Sequence, residues 1–112
     1  MTLLRVEALS EDSLAAPGNR NVNYIALSVT DNTGGAINGL NIVNVQVAPI
    51  LIGPTSGPVT VIGVLAAPLG GFHLVEIVPH GTETWKAGTY IFGVTVNFNG
   101  ARGQALCSVV MD

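Results

Sequence analysis

The stretch TWKAGTYIFGVTVNFNG, residues 84–100, holds the only tryptophan of the chain, one of its two tyrosines and two of its three phenylalanines. Alternation from Tyr90 onward sets Tyr90, Phe92, Val94, Val96 and Phe98 on one face. The other face carries Ile91, Gly93, Thr95, Asn97 and Asn99. This period of two marks a strand buried on one side, so the aromatic residues read as core rather than as a ligand platform. Tyr90 stands at the start of the strand, directly after Ala87-Gly88-Thr89. There its ring can enter the core while its hydroxyl bonds back to the backbone of the preceding corner. Trp85 lies in the loop before it and is expected to lid the open end of the core. Both residues are structural in this reading.

The same pattern extends outward along the chain. In NVNYIALSVTD (21–31), Ile25, Leu27 and Val29 share one face, and Tyr24, Ala26, Ser28 and Thr30 the other. DNTGGAING (31–39) supplies Asx and Gly residues for a turn. LNIVNVQVAPILIG (40–53) holds Val43, Val45 and Val47 in phase up to Pro49. Proline has no ladder donor, so the strand should end, bulge or run along an edge there. GPTSGP (53–58) is a loop, VTVIGVLAA (59–67) a strand, PLGG (68–71) a turn and FHLVEIVP (72–79) another strand. RGQALCSVVM (102–111) pairs with the opening stretch through Asn99-Gly100, a hairpin signal read with a slightly longer loop. With LLRVEAL (3–9) the count is about seven strands, an all-β antiparallel sandwich. Helix signals are poor; only SEDSLAAPG (10–18) suggests a helical turn, capped by Ser10 and ended by Pro17-Gly18.

The 112 residues suit one domain, 1–112, without linker or repeat and long enough to bury a core unaided. The hydrophobic fraction is 48% with mean hydropathy +0.53, whereas charged residues are only 10%, far below the usual share. From Asn32 to Val75 there is no charged side chain at all. The net charge of −3 offers no basic footprint, so nucleic acid is not an expected partner. The longest apolar run, 59–67, is about half a membrane span, and no membrane insertion is expected. The first residues lack the apolar core of a signal peptide, so an extracellular or cell-surface location would require a leader already removed. The single Cys107 excludes an intramolecular disulfide. It reads as a small buried hydrophobe, the other reading being a nucleophile that needs a cationic neighbour. Ala105, Cys107 and Val109 share one face and Leu106, Ser108 and Val110 the other; the pattern leaves open which points inward.

Few constellations carry chemistry. No Gly-x-Ser-x-Gly elbow is present, and TGGAING fits neither phosphate-loop spacing. His73, Glu76 and His80 are the one cluster of metal-ligand types. On a strand, however, His73 and Glu76 point to opposite faces, against the convergence that zinc requires. Asp31, Asn32 and Asn38 carry oxygen ligands but lack calcium-loop spacing, and turn formation accounts for them. Trp85 and Tyr24 are the only aromatic candidates for a sugar-binding cleft. No cofactor is implied.

TWKAGTYIFGVTVNFNGARGQALCSVVM resembles the last two strands of bacterial immunoglobulin-like domains of the adhesin and macroglobulin type, where a W-x-x-G-x-Y corner leads into the sixth strand. SVTDNTGGAINGL is similar to their D-x-x-G-x-x-[IV]-x-G-[LV] segment, and GFHLVEIVP to their fifth strand. The resemblance implies an immunoglobulin-like sandwich. It departs from the antibody pattern in having no paired cysteines, and residues 49–68 form a longer, greasier connection than expected. The function this implies is a non-catalytic structural or protein-interaction module, either a self-associating subunit or a domain of a larger surface protein. The alternative is a small metal- or carbohydrate-binding domain. The uncharged middle offers apolar side chains to both faces of its strands, more than one core can take. Ile50, Leu51, Ile52, Val61, Ile62, Val64 and Leu65 are therefore the expected interface, most simply with a second copy. A hairpin covering its own sheet is the other reading of that segment.

Overall fold

Alternating burial along the chain builds two antiparallel sheets around one core. The structure, a computed structural model, describes residues 3–11, 13–51, 58–67 and 70–112. Its strands are β1 (Arg5–Glu11), β2 (Asn23–Thr30), β3 (Val45–Leu51), β4 (Val59–Ala66), β5 (Phe72–Pro79), β6 (Gly88–Phe98) and β7 (Ala101–Met111). One sheet has the order β1-β2-β5-β4 and the other β3-β6-β7. No helix occurs among the described residues. The inward faces are those the alternation marks: Ile25, Leu27 and Val29 from β2, Val75 and Ile77 from β5, and Tyr90, Phe92, Val94 and Val96 from β6, all buried in a single cluster.

The corner before β6 is built as the sequence implies. The Tyr90 hydroxyl accepts a hydrogen bond from the Lys86 backbone N–H at 2.8 Å. Its ring meets Trp85 edge to face at 5.4 Å and stacks near Phe92 at 5.8 Å. Trp85 is more than a lid. It is fully buried, its indole N–H donates to the Asn21 carbonyl at 2.7 Å, and its backbone exchanges bonds with Gly18 and Asn19 at 2.9 Å each. The two sheets are thereby tied at one end, because residues 18–21 lead into β2 and residues 85–88 into β6.

Three local readings change. The expected helical turn at 10–18 is absent: Ser10 continues β1 opposite Ile25, and the loop after it is held by asparagines. The Asn19 carboxamide accepts from the Ala16 and Asn21 N–H groups, while the Asn19 and Asn21 side chains donate to the Leu14 carbonyl. Such side-chain bonds compete directly with helix formation. Val43 is not in a strand. Asn41 and Asn44 close a turn around it, with the Asn41 side chain accepting from the Val43 N–H, and Val43 faces outward. Finally, the β6–β7 hairpin loop is two residues long, not longer: Phe98 pairs with Ala101, and Asn99 and Gly100 both take positive φ, at 50° and 80°. That is the primed turn whose twist suits paired strands.

Pro49 lies on the edge strand β3 with a register shift beside it, as a missing donor requires. On the other side of the molecule, the start of β1 crosses to β7. Leu4 N–H donates to the Arg102 carbonyl at 2.9 Å, and a side chain at Gly103 would meet the Leu4 carbonyl oxygen at 2.5 Å. Only glycine permits that approach.

Tyr90→Phe leaves the Lys86 N–H without its partner. It is expected to cost about 1–3 kcal/mol of stability while leaving the far-UV spectrum unchanged. Chemical denaturation of the two proteins side by side measures this; an unshifted midpoint would show that the hydroxyl bond contributes nothing.

Candidate functional site

The side chains that could bind metal do not converge. His73 points inward and is fully buried, with its Nε2 accepting from the Leu40 N–H at 3.3 Å. Glu76 lies on the outer face of β5, where its carboxylate covers Gly63 of β4. His80 is exposed beyond β5 and contacts the Thr60 hydroxyl at 3.2 Å. Among the described residues no group of three metal-ligand side chains gathers. Asp31 organises its own turn: Oδ1 accepts from the Thr33 hydroxyl at 2.7 Å and from the Thr33 and Gly35 N–H groups at 2.8 Å. These bonds, the Thr33 hydroxyl first, hold its carboxyl below the usual range. Trp85 is spent on the corner and Tyr24 lies half-buried on the outer face of β2, so they share no cleft.

Buried polar groups elsewhere are consumed by each other. A hollow of about 420 Å³ between the ends of β1 and β7 is lined by Ser10, Ser13 and Asn23. There the Asn23 carboxamide accepts from the Ser13 hydroxyl at 3.2 Å and donates to Ser10 Oγ at 3.4 Å. His73 Nδ1 is the exception, a buried ring nitrogen with no hydrogen-bond partner of good geometry among the described residues. Because Nε2 accepts, the proton of the neutral imidazole sits on Nδ1. Desolvation holds the His73 pKa below its ordinary value, against a smaller opposite push from the Gly71 backbone.

The seven residues of the expected interface are dispersed. Val61 and Val64 face inward and pack against the core. Ile62 and Leu65 are outward on the sheet of β4, whereas Ile50 is outward on the opposite sheet, its side chain over Gly93. Ile52 lies outside the described residues, and Leu51 is placed only as the last residue of β3. Residues 59–66 do not form a hairpin with β3; β4 crosses to the other sheet and pairs with β5. The register shift between Val61 and Gly63 inserts Ile62 as an extra residue and changes which alternate residues face the core.

What the structure does bring together is an apolar row on the outer face of the four-stranded sheet. Leu9 pairs with Ala26, Ala26 with Leu74 and Leu74 with Leu65, a straight cross-strand line through all four strands. Phe72 and Ile62 flank it, and Leu9 is 66% exposed. On the other sheet, Leu106 and Val110 of β7 stand outward at 65% and 61% exposure. Sequence reasoning missed Leu9, Phe72, Leu74, Leu106 and Val110. The alternation of β5 was legible, but only pairing register shows that outward residues of four strands align. Cys107 is on the inward face with Ala105 and Val109, and burial pushes its thiol up to about 11. A scan against protein-family models and searches of curated proteins and of solved structures found no match to this chain.

Two solution properties follow. A thiol reagent attacks the thiolate, so at neutral pH Cys107 is expected to react about a hundredfold or more slowly in the native protein than in denaturant; rapid native labelling would contradict its placement. In the unfolded chain His73 protonates near pH 6.5, while the buried ring resists protonation until lower pH. The unfolded state then binds more protons in that window, so stability is full above about pH 6.5 and declines below it. His73→Gln should remove that part of the pH dependence, measured as denaturation midpoints between about pH 5 and 8. An identical pH profile in the variant would assign the effect elsewhere.

Proposed function

We propose that this chain is an immunoglobulin-like sandwich acting as a non-catalytic protein-interaction module, a subunit or domain that binds other proteins through its sheet surfaces. Support for the fold part comes from strand order. β1-β2-β5-β4 over β3-β6-β7 is the arrangement of seven-strand constant-type domains, and the Tyr90 corner sits at the start of the sixth strand as it does there. Support for the function comes from one observation above the others, the Leu9–Ala26–Leu74–Leu65 row. An antiparallel sheet with one solvated face normally shows that face polar. Here the register aligns aliphatic side chains in one row across all four strands, with Phe72 and Ile62 beside it and the polar Glu7, Ser28 and Glu76 in the rows on either side. A contiguous apolar surface of this kind marks a contact site in soluble proteins. Fold alone does not specify a partner; the surface does the recognising.

Leu65→Lys combined with Leu9→Lys tests this. Both positions are outward, and surface changes of this type usually alter stability by about 0.5 kcal/mol or less. The folded double variant is expected to lose partner association at least about tenfold, roughly 1.4 kcal/mol, in quantitative pull-down and sedimentation against the wild-type chain. Retention of every wild-type interaction by a well-folded double variant would overturn the reading.

A further inference from the structure

Each of the two sheets has two edges, and three of the four carry a guard against pairing with another strand. β1 presents charged Arg5 and Glu7 on its exposed face. β4 is broken by the bulge at Ile62, and β3 by Pro49 with its own register shift. Charges, bulges and prolines are the devices by which sheets avoid edge-to-edge association. β7 has none of them. Its register with β6 runs unbroken from Ala101 to Met111, and no charge or proline falls between Gly103 and Met111. Leu3 and Leu4 cover its first residues through the bridge to Arg102. Beyond them β1 runs beside β7, with Val6 against Gly103 and Ser108, Val109 and Val110 lining the hollow between the two strands, but among the described residues no backbone group hydrogen-bonds to the outer edge from Gln104 to Val110.

The hairpin determines which backbone groups that edge offers. Phe98 and Ala101 flank a two-residue turn, so Ala101 directs its N–H and C=O toward β6, and every second residue after it does the same. Gln104, Leu106, Ser108 and Val110 therefore turn their N–H and C=O groups outward, in phase with the Arg102 carbonyl that accepts from Leu4.

We propose that this edge pairs antiparallel with the same edge of a second copy, joining two three-stranded sheets into one across a twofold axis. This rests on the protein-interaction reading above and adds to its outer-face row a second surface with one stated partner, another copy of the chain. The free segment is centred on Cys107, and full overlap of two such segments puts Cys107 opposite Cys107. In that register Gln104 meets Val110 of the other copy and Leu106 meets Ser108, so outward-turned backbone groups face one another in every hydrogen-bonded pair. Any shift by an odd number of residues would set bonding residues against non-bonding ones. The side chains agree with this register as well. Leu106 stands diagonal to both Leu106 and Val110 of the partner copy, within reach of aliphatic side chains, and builds an apolar strip across the axis. A second copy supplies all of this complementarity from one sequence, as a twofold interface must.

The experiment compares the full chain with Ser108→Pro by sedimentation velocity over a concentration series. Proline at 108 deletes an edge donor that makes no bond to β6, so the intrachain ladder stays complete. The wild type should form a dimer and Ser108→Pro should raise the dissociation constant at least tenfold, with an unchanged circular dichroism spectrum. Should Ser108→Pro not fold, Leu106→Lys, which brings two like charges beside the axis, decides by the same measurement. Amide exchange adds an independent readout: the N–H groups of Leu106, Ser108 and Val110 should gain protection with concentration, while those of Ala105, Cys107 and Val109 stay protected throughout. A wild type that is monomeric at all concentrations, or a dimer that neither variant weakens, overturns edge pairing. If such a chain still binds other proteins in a way that Leu9→Lys and Leu65→Lys abolish, the interaction-module reading survives alone. If it binds nothing, both fall.

Discussion

The indole of Trp85 is the contact on which the rest of the structure hangs. Its N–H is buried and would be costly to leave unpaired; it donates to the Asn21 carbonyl just before β2. The ring then supports Tyr90, whose hydroxyl closes the corner before β6 and whose own ring lies against Phe92. One side chain thus positions the starts of the central strands of both sheets. Arg20 reinforces the same end by reaching the Pro79 and Glu83 carbonyls at the exit of β5. Given those anchors, the alternation of β2, β5 and β6 determines which side chains face the core.

The uncharged middle of the chain poses a packing problem that two irregularities resolve. Without an extra residue at Ile62, strict alternation through 59–66 would turn Val64 outward. The bulge instead keeps Val59, Val61 and Val64 all against the core. It also opposes Gly63 to Glu76, whose carboxylate occupies the space a side chain would need. On β3 the shift beside Pro49 leaves Ile50 outward, resting where Gly93 has no side chain. Apolar residues in excess of what the core holds thus end on both outer faces rather than on one.

Much of this architecture was legible in the residues. The span of β5, the inward set of β6 and the Tyr90 bond all follow from alternation and from the position of a tyrosine after a glycine-containing corner. What could not be read depends on pairing between distant segments. Whether Ile62 or Val64 points outward is decided by the register of β4 on β5, which no local pattern encodes. The asparagine-held loop at 13–22 looked like a helical turn because Ser10 and the alanines satisfy helix propensity, whereas the competing bonds come from Asn19 and Asn21 farther along. Cys107 and Leu106 sit on opposite faces of a strand that is apolar on both, so only the pairing with Phe92 and Gly93 tells them apart.

Polar capacity in this molecule is directed at itself. Asn23 bonds two serines, Asn44 reaches the Asn97 carbonyl, Asn38 accepts from Gly71, and Asp31 ties its own turn. A catalytic or metal site needs several such groups left free and aimed at a common point. What the described surface gathers in register is of another kind: aliphatic side chains in a row on one sheet, and a run of backbone donors and acceptors along β7. Neither has chemical reactivity. Both gain free energy only by being covered, the first through apolar area and the second through hydrogen bonds that water otherwise supplies. On the interaction reading proposed above, recognition would run through shape and strand geometry, and the low net charge would spare two copies the repulsion that otherwise keeps them apart.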